Sequence, residues 1–288
     1  MPQQKKSYLL AAVAILLWAT AATAFKLTLA HISAIQMLFS SSLVAAVASL
    51  IILLVNGKIS ELKHLSSRDI IHSILLGLLN PFLYYLVLFR AYELLPAQIA
   101  QPLNFIWPIT IVILSIPILK QKFRWRHFAA LFISFAGVLV ISTSGNLQLG
   151  GLSKFGMGLA LFSAIIWALF FVLNVKDERD EFIKLFLSFS FGTIFSGIVF
   201  LFSKQAYVFV PAALWGCVYI GLAEMAITFA IWIKALKLSR TTAQVNSFIY
   251  FTPFLSLLFI SLILKEQILI TTVIGLVIIV LGIFIQER

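Results

Sequence analysis

The stretch Asn80–Gln121, NPFLYYLVLFRAYELLPAQIAQPLNFIWPITIVILSIPILKQ, decides the fold because the chain contains it twice. A shift of 144 residues (224 − 80 = 144) carries Gly77, Asn80, Ala91 and Leu94 onto Gly221, Glu224, Ala235 and Leu238. A shift of 145 (253 − 108 = 145) carries Pro108, the run Ile118-Leu119-Lys120 and Gly137 onto Pro253, Ile263-Leu264-Lys265 and Gly282. Upstream, a shift of 149 (167 − 18 = 149) lays Ala-Ile-Leu-Leu-Trp, ending at Trp18, on Ser-Ala-Ile-Ile-Trp, ending at Trp167. Solenoid units repeat every ~20–50 residues, so a period of this length marks a duplicated half-protein instead.

The composition names the solvent. Hydrophobic residues make up 62% of the 288 residues and charged residues 11%. A soluble core of this size cannot hide so much apolar surface, so lipid must surround most of it. The one cysteine, Cys217, excludes an intramolecular disulfide, and four scattered histidines in no zinc-binding spacing argue against a metal enzyme. The net charge of +11 sits in short loops between apolar runs, which suits a membrane face better than a nucleic acid.

Ten apolar segments follow one another, each near the ~20 residues that cross a bilayer as a helix. They run over 8–29, 34–55, 70–92, 97–119, 127–144, 156–175, 182–203, 212–236, 243–264 and 269–286. The first imitates a cleavable signal peptide, with Lys5 and Lys6 before an apolar run and Ala19-Thr20-Ala21 after it. The repeat argues for retention, since Trp18 has a counterpart at Trp167. The predicted fold is all-α: ten transmembrane helices in two five-helix repeats, 8–144 and 156–286.

Five is odd, so the second repeat must enter the membrane from the side opposite to the first. The basic residues orient the pair. With the N-terminus inside, only Lys26, Arg90, Lys154, Lys204 and Lys265 fall outside, leaving 21 − 5 = 16 of the lysines and arginines within. Cytoplasmic loops carry the excess of Lys and Arg, so both termini are expected in the cytoplasm.

Inverted five-helix repeats with a tight Leu-Pro-Ala hairpin between segments 3 and 4 resemble the drug/metabolite transporter superfamily, and the EamA-type exporters most. The resemblance covers nearly the whole chain. It rests on Trp18 and Trp167, on Ala91–Leu94 and Ala235–Leu238, and on Pro108 and Pro253 within segments 4 and 9. It rests also on Leu-Lys-Glu at 264–266, followed by Gly275 and Gly282. The first repeat departs from the pattern, with Gln121 where the second has Glu266. The resemblance implies an inner-membrane carrier that exports amino acids or related zwitterionic or aromatic compounds by alternating access.

Polar groups at membrane depth are costly, so they tend to face a cavity or one another. Glu224 lies halfway along segment 8, where a carboxylate costs on the order of 3 kcal/mol on insertion scales. It is read either as a proton-coupling or cation-binding carboxylate or as a hydrogen-bonding group that ties segment 8 to a neighbour, with Asn80 as the symmetry-related partner. Asn80 and Tyr84, and Glu224 and Thr228, are each four residues apart and so share a helix face, which Trp232 extends. Segment 4 carries Gln98, Gln101 and Asn104 at three-residue spacing, then Trp107, with Pro102 and Pro108 to kink the helix. Segment 9 answers with Gln244, Asn246, Ser247 and Tyr250 ahead of the kink at Pro253. Together with Trp18 and Trp167 these residues are the expected substrate lining. Arg90 and Glu93 are expected as a membrane-edge pair, and Lys176–Glu181 as a solvated loop.

Small organic metabolites are the expected cargo. No lysine or arginine stands at membrane depth to neutralise a phosphate, which disfavours sugar phosphates and nucleotide sugars. Import or exchange of an adenosyl-amino-acid cofactor such as S-adenosylmethionine is the alternative carrier. From a different class, a non-transporting membrane scaffold or receptor would lack a substrate-sized polar cavity. An enzyme is not expected, nor any cofactor or metal. The expected partners are a small-molecule substrate and the lipid bilayer, without nucleic acid, and the expected form is a monomer.

Overall fold

The computed structural model describes residues 3–120, 122, 125–143, 152–239, 245 and 247–287, and every regular element among them is helical. Segments 1 and 2 form α1 (Gln3–Leu29) and α2 (Ala34–Val55), the latter capped by the Ser33 hydroxyl, which accepts from the Gln36 amide. Segment 3 is broken into α3 (Ser67–Gly77) and α4 (Tyr84–Leu94), with a π turn over Leu78–Leu83 between them. A reciprocal capping box of Ser66 and Asp69 starts α3. Segment 4 is broken too, into α5 (Ala97–Asn104) and α6 (Trp107–Leu119). Three continuous helices follow: α7 (Trp125–Thr143), α8 (Lys154–Val175) and α9 (Glu181–Phe202). Segment 8 comprises α10 (Pro211–Tyr219), a π turn over Ile220–Ala226 and α11 (Ile227–Leu238). The described part of segment 9 is a 3₁₀ turn (Ser247–Phe251), α12 (Thr252–Phe259) and a third π turn (Ile260–Leu264); α13 (Ile270–Glu287) closes the chain.

The prolines act as helix starters as much as kinks. Pro108 sits in the first turn of α6, where its missing N–H costs nothing, and Pro253 takes the matching place in α12. Lys120 and Lys265, paired by the repeat, both end their helices in the left-handed region, at φ 55° and φ 58°.

Among the described residues, seven helical stretches are long and apolar enough to cross a membrane: Gln3–Leu29, Ala34–Val55, Ser67–Leu94, Ala97–Leu119, Lys154–Val175, Glu181–Phe202 and Pro211–Leu238. Ala129–Ile141, Phe248–Leu264 and Ile270–Ile285 are shorter apolar helices. Large side chains such as Leu201, Phe202 and Val55 stand exposed on them, as a protein surrounded by lipid requires. Trp125 and Trp215 lie exposed near helix ends, where the membrane interface favours indole.

Packing follows the duplication but crosses it. The chain resolves into two compact units, one of residues 1–82 with 178–259 and the other of 83–177 with 260–288. Each therefore draws on both repeats. In the first unit α1 packs on α11 and α12, and α2 on α9; in the second α8 packs on α4 and α6, and α7 on α13. The α1 and α8 contacts are equivalent under the repeat.

Glycine sets the distances. A Cβ on Gly77 would lie 2.8 Å from the Ser188 carbonyl oxygen in α9, and one on Gly221 would lie 2.6 Å from that of Ser41 in α2. In the second unit a Cβ on Gly137 of α7 would lie 2.6 Å from the Gly275 carbonyl oxygen of α13. Small residues let helix backbones approach this closely where lipid supplies no hydrophobic drive for association.

Candidate substrate site

The expected site residues divide between the two units. In the first, Trp18 of α1 packs its ring against Phe229 at 5.5 Å and Trp232 at 5.3 Å, both on α11. Its indole Nε1 donates to the backbone carbonyl of Glu224 at 3.3 Å. The π turn makes that carbonyl accessible, because the helical ladder is irregular there and its polar groups need partners. Thr228 serves the same turn, its buried hydroxyl donating to the Ala223 carbonyl. Its side chain is thus engaged by the helix break itself. One turn away the Thr20 and Tyr219 hydroxyls are paired at 2.5 Å.

Glu224 lies inside the π turn 220–226, half-buried. Its repeat counterpart Asn80 occupies the other interruption, with non-helical φ −142° and ψ 120°, immediately before Pro81. Asn80 is 3% exposed, and its Oδ1 meets no hydrogen-bond partner among the described residues. Pro81 lacks the N–H that would continue the ladder, and its ring rests on Gly192 of α9. The duplication thus places a polar side chain at each of two equivalent helix breaks.

In the second unit Trp167 of α8 is the centre. Tyr84 of α4 packs against it with tilted rings at 4.9 Å and Trp107 of α6 meets it edge-on at 6.4 Å. Asn104 joins three elements: its Nδ2 donates to the Ser163 hydroxyl at 2.8 Å and its Oδ1 accepts from the Tyr84 hydroxyl at 3.4 Å. Ser163 in turn donates to the Ala160 carbonyl. Gln101, one turn earlier on α5, buries an amide oxygen that has no hydrogen-bond partner among the described residues. Pro102 is buried within α5. The third member of the amide stripe, Gln98, is engaged elsewhere: its Nε2 donates to the Gln267 carbonyl at 2.8 Å and its Oε1 accepts from the Leu269 amide at 2.9 Å. Tyr250 belongs to the first unit, half-buried in the 3₁₀ turn before α12. Gln244 and Asn246 lie outside the described residues.

Sequence reasoning passed over several partners. Ser163 stands four residues before Trp167, on the same helix face, and that spacing could have flagged it. Gln36 gave no such signal. Its amide clips the Val208 backbone, donating at 2.8 Å and accepting at 3.1 Å, so it fastens the 203–210 loop to the start of α2. The 176–181 stretch is also more than a solvated loop. Arg179 donates to the Asp69 carbonyl at 3.0 Å and the Ser73 hydroxyl at 2.8 Å, and Asp180 caps α9 through the Phe182 amide. Lys58 pairs with Glu61 at 2.6 Å and lies 3.6 Å from Asp180; these neighbours raise its pKa, Glu61 most. Arg90 and Glu93 pair at the end of α4.

The Trp167 cluster gathers indole, phenol, amide and hydroxyl groups, a set whose chemistry suits a small solute with a flat or apolar body and a polar end. Among the described residues no cluster of His, Cys, Asp and Glu could hold a metal ion. An open groove of about 390 Å³ lies between α2 and α9, but apart from Thr193 its wall is apolar, with Phe39, Ile194, Ile198 and Leu201, and none of the expected site residues lines it.

Comparison with known proteins points one way. The sequence profile of the EamA-like transporter family matches residues 5–143 and, a second time, 154–286. An uncharacterized transporter of Archaeoglobus fulgidus is 26% identical over 285 residues, covering 97% of this chain and 96% of its own. The uncharacterized transporter YvbV of Bacillus subtilis is 26% identical over 212 residues, 72% of this chain and 68% of its own. A solved crystal structure at 21% identity shares the fold, with a TM-score of 0.68 over 98% of this chain and 96% of that one.

Proposed function

The chain belongs to the EamA-like transporter family, and from that premise we propose that it carries zwitterionic or aromatic small metabolites, such as amino acids, across the inner membrane by alternating access. Export is the direction the family resemblance implies. Ten spans with both termini in the cytoplasm form the accompanying topology, motivated by the excess of basic residues in the inner loops.

The observation that carries this reading is the pair of equivalent helix breaks. Interrupted helices with polar side chains at the interruption are how carriers built from inverted repeats expose hydrogen-bonding groups at mid-membrane depth. Here the breaks hold Asn80 and Glu224, and an aromatic cluster stands close to each along the chain: Trp18 with Trp232, and Trp167 with Tyr84 and Trp107. Aromatic rings take a flat solute, while amides and hydroxyls orient its polar end without demanding a net charge.

Glu224 is the proton-coupling residue in this account. Two measurements test it. Purified protein in liposomes should take up one or more amino acids saturably in a competition screen, and a panel in which none competes would defeat the substrate class. Glu224→Gln keeps size and hydrogen bonding but cannot titrate. It should preserve solute exchange and abolish acceleration by a pH gradient; full gradient-driven transport in that variant would make the carboxylate structural.

A further inference from the structure

Helix α5 is short, and its first turn has an acceptor problem. The leading amides of any helix lack intrahelical partners, and the residue before α5 is Pro96, whose side chain accepts nothing. Glu266 supplies the acceptor from 169 residues away, one oxygen taking the Ala97 amide at 2.9 Å and the other the Gln98 amide at 3.1 Å. A carboxylate is favoured there twice, by charge-assisted hydrogen bonding and by the positive end of the helix dipole. Gln98 returns the attachment through the Gln267 carbonyl and the Leu269 amide, with the Thr272 hydroxyl 3.5 Å from its Oε1. Each heteroatom of both side chains has a partner across this junction, so α5 cannot slide or turn without breaking several hydrogen bonds together.

The far end of the same rod is Asn104, which holds Ser163 and Tyr84. The Ala97–Asn104 helix runs without a break between the two attachments. We propose that Glu266 is a positioning residue: with Gln98 it forms a latch that sets the axial and rotational place of α5, and so where Asn104 stands in the aromatic cluster around Trp167. This inference rests on the reading of that cluster as a substrate site. In the first repeat the matching position holds Gln121, whose amide can offer a helix start only one acceptor atom and no charge. By sequence, the carboxylate at this position is therefore found in the second repeat and not the first.

The test needs no substrate. In a Cys217→Ala background, Asn104→Cys and Ser163→Cys report separately on α5 and on the facing helix α8, through their reaction rates with a water-borne maleimide in liposomes. Glu266→Gln places an N–H where the Gln98 amide now finds an acceptor. It should change the rate at position 104 about fivefold or more and leave that at 163 within twofold. Gln98→Leu, which leaves the carboxylate in place, should shift the rate at 104 in the same direction, and the double variant should add little to either single one. An unchanged rate at 104 in both variants, or equal changes at 104 and 163, would overturn the latch, the second by showing general loosening. Additive effects would overturn the single-unit account. Because no solute is present, a failed amino-acid screen counts against the transport reading and leaves this result standing.

Discussion

Alanine at Gly221 should separate two helices that now touch backbone to backbone. Its Cβ would lie 2.6 Å from the Ser41 carbonyl oxygen and 2.7 and 2.8 Å from Cβ and Cγ1 of Val44. Ordinary contact begins near 3.4 Å, so the π turn 220–226 and α2 must part by about 0.8 Å (3.4 − 2.6 = 0.8). A gap of that size forfeits about a quarter to a half of the dispersion energy along the neighbouring contacts. Overpacking of this kind costs about 1–3 kcal/mol. Rotating the Val44 side chain gives no relief, because the Ser41 carbonyl oxygen and the Val44 Cβ are both fixed by the α2 backbone. Gly158 is the internal control, since a Cβ there meets nothing within 4 Å. Within α8 the same substitution should be neutral or stabilise by up to about 1 kcal/mol through helix propensity. Thermal unfolding of the purified protein in detergent, followed by circular dichroism, should place Gly221→Ala several degrees below wild type and Gly158→Ala at or above it. Equal melting of the two variants would refute the close approach of α2 and the π turn.

Further outcomes follow from other contacts. Reporter fusions after Leu147 and Gln205 should give periplasmic signals and one after Asp180 a cytoplasmic signal; a cytoplasmic signal at Leu147 would break the five-plus-five topology. Cysteine replacing Gln101 or Asn246 in the Cys217→Ala background should react with a water-borne thiol reagent and be slowed by substrate, and inert positions beside a labelled Leu103→Cys would reverse the helix faces. Asn104→Leu removes two interhelical hydrogen bonds at about 0.6 kcal/mol each, so thermal unfolding should show a loss of about 1 kcal/mol; no loss would mean that these bonds are idle. The Lys58 amine has a raised pKa, so its ion pairs stabilise the fold below the ordinary 10.5 and weaken only as pH rises beyond it. Melting between pH 6 and 9 should therefore be the same for Lys58→Met as for wild type, apart from a constant offset.

The apolar segments and the duplication were legible because both are properties of residues near one another or at a fixed period. Trp18 and Trp167 could be matched by eye, and each proved to head an aromatic cluster. The helix partners were not legible. Nothing in the repeat says that α1 packs on α11 and α8 on α4, so that each compact unit mixes both halves. The break at Asn80 had a cue in Pro81, but the π turn at Ile220–Ala226 contains no proline, and its one polar residue, Glu224, does not by itself signal a break. The amide stripe shows the same boundary. Three-residue spacing put Gln98, Gln101 and Asn104 on one face, yet Gln98 closes the α5 start while Asn104 holds Ser163 and Tyr84. That division depends on Glu266, a residue whose family motif could be recognised but whose hydrogen-bond partners lie 168 and 169 positions away.

The central claim is that this chain moves zwitterionic or aromatic solutes past the Trp167 cluster, and counterflow in liposomes tests it most directly. Vesicles loaded with one unlabelled amino acid at a time are challenged with the same compound in radiolabelled form. Wild-type protein should show saturable exchange of at least one aromatic or other zwitterionic amino acid. Trp167→Ala should lose that exchange, while Trp125→Ala, at a site 74% exposed on α7, should keep it. No exchange above empty liposomes for any solute in the panel, or equal activity in the two variants, would contradict the account.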